Sequence, residues 1–100
     1  MNEYKIRQLN RMLKQINHYK KGELNIFELS GDLLFLRNHA RDVDDYWEDF
    51  DDIMGFLEDT LAIANVERRG KLTSDDKAQI EAAIPKLIDL VQAELDAERE

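Results

Sequence analysis

The chain has 100 residues, the size of one domain, and its 43% apolar and 36% charged content describes a folded protein with a densely charged surface, not a disordered one. It contains no cysteine, which excludes disulfide frameworks, thiolate metal sites and cysteine nucleophiles and fits a reducing compartment, the cytoplasm being the simplest. With 14 basic against 22 acidic side chains the net charge is −8, which repels nucleic acid and anionic lipid and favours a basic protein partner.

The N-terminal stretch MNEYKIRQLNRMLK is interrupted by charges every few residues, so it reads neither as a secretory leader nor as a membrane span. A first helix is expected over residues 2–21, where Ile6, Leu9, Leu13 and Ile16 recur at steps of three and four. Lys20 and Lys21 suit its C-terminal dipole, and Gly22 lies just past its end.

The second helix has the clearest start signal. Asn25 is its N-cap, Glu28 completes a capping box and Leu24 opposes Leu29 as a hydrophobic staple. It is expected to reach residue 40, and its wide apolar set (Phe27, Leu29, Leu33, Leu34 and Leu36) marks it as the most central helix.

The third helix is expected to begin near Asp42 or Asp44 and to run to residue 69, stopped by Gly70, which gives about 26 residues and about 39 Å. Val43, Trp47, Phe50, Met54, Leu57, Leu61 and Ala64 follow alternating steps of four and three, a seam for packing against neighbours. The fourth helix starts at Thr73 or Ser74, helped by Asp75 and Asp76, and buries Ile80, Ile84, Leu87, Val91 and Leu95. Pro85 is expected to kink it, because the ring removes an amide donor and crowds the carbonyl of Glu81. The short connections favour antiparallel neighbours, so the chain reads as a single all-α domain over residues 1–100, an antiparallel four-helix bundle.

The informative feature is charge placement. No basic residue lies between Arg41 and Arg68, and the positions from Asp42 to Glu67 hold ten acids, whereas the rest of the chain holds 14 basic and 12 acidic residues. On a helical projection the apolar seam occupies about a third of the circumference, and Asp44, Asp45, Glu48, Asp49, Asp51, Asp52, Glu58 and Asp59 fall opposite it. These acids neighbour one another at three and four residues, where each like-charge pair costs about 0.2–0.5 kcal/mol of helix stability. Acids in the first turn complement the helix dipole, but that effect fades within a turn and leaves Asp49, Asp51, Asp52, Glu58 and Asp59 without a local reason. A solvated, solubility-giving face is the plain alternative; the concentration of the acids on one helix, interleaved with aromatics, points instead to a binding face. Trp47 is assigned to the core, and Tyr46, at the edge of the seam, is placed to present its hydroxyl to a partner.

Catalytic and metal chemistry find little support. An EF-hand reading of the acidic run fails because Trp47 occupies the position that needs glycine and Ile53 replaces the bidentate glutamate. A di-carboxylate metal bundle lacks its Glu-x-x-His pairs, since Gln15 precedes His18 and Leu36 precedes His39. A magnesium-dependent pyrophosphatase would need carboxylates converging from more than one helix. No glycine-rich phosphate loop is present. The expectation is a non-enzyme with no metal or cofactor.

The stretch LNRMLKQINHYKKGELNIFELSGDLLFL, in which Tyr19, Lys20, Lys21 and Gly22 form a turn leading into the capped segment LNIFEL, resembles bacterial immunity proteins of the colicin D and contact-dependent growth inhibition type. The likeness covers about residues 9–70 and has no motif unique to the family. It implies a protein that neutralises a cognate toxin, often a tRNA-cleaving nuclease, by covering its basic cleft with carboxylates that stand in for phosphates. Asp44, Asp45, Glu48, Asp49, Asp51 and Asp52 would play that part, with Tyr46 filling a pocket. Two other classes fit the same sequence: a helical adaptor that buries an apolar seam against another chain, and a DNA mimic that blocks a DNA-binding protein.

Overall fold

The computed structural model describes residues 3–39 and 47–99. Four helices follow one another, α1 (Glu3–Lys20), α2 (Ile26–His39), α3 (Glu48–Arg68) and α4 (Ser74–Arg99), with no strand among the described residues. Helix α1 packs beside α2 and α4, and α3 beside the same two, so α1 and α3 stand diagonally across the core from each other. Lys5 near the start of α1 pairs with Glu94 and Glu98 near the end of α4, at 3.2 Å each, which fixes these neighbours as antiparallel. The chain forms the expected all-α four-helix bundle.

Local chemistry sets the helix ends. Gly22 takes φ +80° and lets the Glu23 amide donate to the His18 carbonyl at 2.9 Å, closing α1. Beside this turn His18 Nδ1 hydrogen-bonds Glu23, which holds the Glu23 carboxyl below the usual carboxylate range. The predicted capping box of α2 forms in both directions: the Glu28 amide donates to Asn25 Oδ1 at 2.8 Å, and the Asn25 amide to Glu28 Oε1 at 3.2 Å. The same device opens α4, where the Asp76 amide donates to Thr73 Oγ1 at 3.0 Å and the Thr73 amide to Asp76 Oδ2 at 3.1 Å. Thr73 and Asp76 stand at the three-residue spacing that such a box requires. Helix α4 continues on both sides of Pro85.

One core unites the helices. Leu9, Met12 and Ile16 from α1, Leu29 and Leu33 from α2, Phe50 and Leu57 from α3, and Leu87 and Val91 from α4 are fully buried. All five apolar positions expected of α4 and every described member of the α3 seam lie in the buried set.

Two expectations are corrected. Helix α2 is not the most central helix: Leu34 is 38% and Phe35 59% exposed, because its apolar residues spread around the helix and a bundle covers only one side. Helix α3 begins at Glu48 and has 21 residues, shorter than the length expected from a start at Asp42 or Asp44. Trp47 precedes it with the non-helical backbone φ −108°, ψ 63°, and its ring stacks on that of Phe50 at 4.2 Å between centroids and 12° between planes. Burying the tryptophan against its neighbour in this way takes position 47 out of the helical course that continuous periodicity implies.

The four glycines divide into two kinds. A Cβ at Gly31 or Gly55 would meet no atom within 4 Å, so these helical glycines weaken α2 and α3 without relieving a clash, whereas Gly22 and Gly70 hold φ of +80° and +83°. Gly31→Ala and Gly55→Ala should each raise the unfolding free energy by about 0.5–1 kcal/mol in urea titrations. Gly22→Ala and Gly70→Ala should each lower it by about 1–2 kcal/mol.

Candidate functional site

The burial of Phe50, Met54, Leu57, Leu61 and Ala64 fixes the rotation of α3 about its axis. With that side in the core, every acid of the described helix that was singled out in the sequence is exposed: Glu48, Asp49, Asp51, Asp52, Glu58 and Asp59. Asp44, Asp45 and Tyr46 lie outside the described residues.

The exposed acids do not form one uniform row. At 100° per residue Glu48, Asp52 and Asp59 lie farthest from the buried side, along one outer ridge. Asp51 and Glu58 turn toward α2 and line a groove of about 450 Å³ with Leu34, Arg37 and Met54. Asp49 and Asp52 turn toward α4 and line a groove of about 470 Å³ with Ile53 and Lys86.

Tertiary structure supplies one counter-ion that the local sequence lacks. Arg37, near the end of α2, donates from Nε to Asp51 Oδ1 at 3.0 Å and from Nη2 to Asp51 Oδ2 at 3.2 Å, a bidentate pair. Arg37 is only 9% exposed, and its guanidinium lies 5.5 Å from the centroid of the Trp47 ring. The arginine therefore ties α2 to the entrance of α3 and removes Asp51 from the set of uncompensated acids. Glu48, Asp49, Asp52, Glu58 and Asp59 make no ion pair among the described residues. Lys86 faces Asp49 and Asp52 across their groove without entering one.

In comparisons with known proteins, no family model, curated protein or solved structure matches the chain. The chemistry of the site is accordingly read from its own residues. Among the described residues no three acids or histidines come together as a metal site, because the acids diverge outward from a single helix. What such a face can do is attract cations over a distance and pair with them on contact.

The sequence left two parts of this surface unseen. One is Arg37, whose partner stands 14 residues away and becomes a neighbour only when α2 and α3 pack. The other is apolar: Phe56 is 39%, Ile63 48% and Val66 84% exposed, set among the exposed Glu58, Asp59 and Glu67 on the outer surface of α3.

Asp51 and the other acids should separate in their effects on stability. A double-mutant cycle with Arg37→Gln and Asp51→Asn should return a coupling of about 0.5–1 kcal/mol in urea unfolding, because half of the Asp51 side chain is exposed and solvent screens the pair. Asp52→Asn should leave stability unchanged or raise it by about 0.2–0.5 kcal/mol through relief of like-charge neighbours.

Proposed function

We propose that the protein is an inhibitor of the immunity type, which binds a nuclease toxin domain and covers its basic active-site cleft with the carboxylates of α3. The supporting observation is the set of exposed acids on one helix of which, among the described residues, only Asp51 has a counter-ion. Uncompensated carboxylates repel one another in the free protein and become favourable when lysine and arginine from a partner arrive, so the partner completes the charge balance. Glu48, Asp49, Asp52, Glu58 and Asp59 carry the contact, with Asp44, Asp45 and Tyr46 contributed by the segment preceding α3. Asp51 is assigned mainly to holding the face in place through Arg37. In this mechanism the protein acts in the cytoplasm by occlusion, catalyses nothing and requires no metal or cofactor. Likeness of the α1–α2 segment to immunity proteins agrees with the electrostatics.

A second function is favoured by a different observation. Leu34 and Phe35 on α2 and Ile63 and Val66 on α3 are exposed apolar side chains of the kind that a helical adaptor buries against another chain. Ionic strength separates the two, since an acidic face steers association and an apolar one does not.

The proposal predicts that the gene lies directly downstream of a large toxin gene and that the purified protein inhibits nucleolytic cleavage by the C-terminal domain of that toxin. Binding measured by stopped-flow fluorescence should lose about tenfold or more in association rate between low and physiological salt. Reversal of charge in the Asp49→Lys, Asp52→Lys double variant should keep the helical circular dichroism and weaken affinity by about 2–5 kcal/mol. Unchanged affinity in that variant would remove the acidic helix from the interface.

A further inference from the structure

Charge is segregated between the two helices that stand diagonally across the bundle. Helix α1 carries five basic side chains against one acid, whereas α3 carries seven acids against one arginine. Because α1 and α3 both pack on α2 and α4 but not on each other, the two charged surfaces point in opposite directions. Arg7, Arg11 and Lys14 are exposed along the outer side of α1 and enter no ion pair among the described residues, as is true of Asp52 and Asp59 on α3.

The two ridges also match in spacing. Arg7 and Lys14 are two helical turns apart on α1, and so are Asp52 and Asp59 on α3. When the helices are laid antiparallel with Arg7 against Asp59, Lys14 falls against Asp52 and Arg11 falls against Gly55. A Cβ at Gly55 would meet no atom within 4 Å, so this position offers room for a long cationic side chain to lie flat between the two aspartates. At the end of the same register Tyr4, 41% exposed, comes opposite Ala62 and Ile63, the latter 48% exposed, so an apolar contact closes the row of ion pairs.

We infer that the partner of the α1 ridge is the α3 ridge of a second copy of this chain. Each copy then uses one ridge as donor and the other as acceptor. The contact is heterologous, so copies join head to tail and leave one free acidic ridge at the end of each string. Self-association and capture of a basic partner compete for Asp52 and Asp59, so a basic partner that binds α3 dissolves the strings. The inference goes beyond the inhibitor function and does not depend on it, because it also needs the basic residues of α1.

The test is sedimentation velocity of the full chain from micromolar to millimolar concentration, at about 50 mM and about 500 mM salt. Concentration-dependent association is expected at the lower salt and its loss at the higher. The Arg7→Glu, Lys14→Glu variant and the Asp52→Lys, Asp59→Lys variant should each raise the self-dissociation constant by at least about tenfold. An equimolar mixture of the two variants should associate again, because each restores the charge its counterpart has lost. All positions altered are exposed, and circular dichroism of each variant confirms that the helices persist. A wild-type chain that stays monomeric throughout, variants that associate unimpaired, or a mixture that stays apart would each overturn the inference. So would an α1 ridge that captures an RNA oligomer while the chain remains monomeric. The Arg7→Glu, Lys14→Glu variant also separates this inference from the inhibitor proposal, since it should abolish self-association and leave binding of a basic nuclease domain intact.

Discussion

The surface of this protein depends on the burial of one side of α3. Trp47, Phe50, Met54, Leu57, Leu61 and Ala64 are all taken into the core, and once that side is fixed no freedom remains in where the intervening residues point. The acids are exposed because the seam between them is not. Moving an aspartate inward would strand a charge in apolar surroundings at a cost of several kcal/mol, far more than the few tenths lost to each like-charge pair at the surface. Mutual repulsion of the carboxylates is thus the lesser of two penalties, and the helix accepts it.

Arg37 shows how a bundle moderates that repulsion without removing it. Its guanidinium is drawn in over Trp47 and grips Asp51 with two hydrogen bonds, so a single residue joins the aromatic end of the core to the beginning of the acidic surface. Only one acid can be served in this geometry, because the planar fork is committed to one carboxylate. The remaining acids keep their field, and that field, facing away from α1, gives the molecule a negative and a positive side. Net charge alone hides this polarity: −8 describes a uniformly acidic protein, yet one ridge of the bundle is cationic.

Competition between surfaces follows from the same layout. The acidic face of α3 borders the groove beside Leu34 and Met54, and the exposed Phe56, Ile63 and Val66 stand among its carboxylates. An interface over this surface would be steered by the carboxylates and held by burial of the apolar side chains among them, the usual division of labour between association rate and residence time.

Much of this was legible in the sequence, since it rests on interactions between residues close along the chain. The helices α1, α2 and α4, the apolar positions of α1 and α4, the capping box at Asn25 and Glu28, the glycine that ends α1 and the exposure of the acids from Glu48 to Asp59 all follow from periodicity and spacing within one or two turns. Where α3 begins was not legible, because the burial of Trp47 against Phe50 and Arg37 outweighs a continuous helical pattern. The exposure of Leu34 and Phe35 was equally hidden, since an apolar residue states its preference for burial but not whether a neighbouring helix stands on its side. Only the tertiary structure could pair Arg37 with Asp51 or set the basic α1 diagonally opposite the acidic α3, because both depend on which helices become neighbours. Sequence fixes what each helix presents; packing decides what it meets.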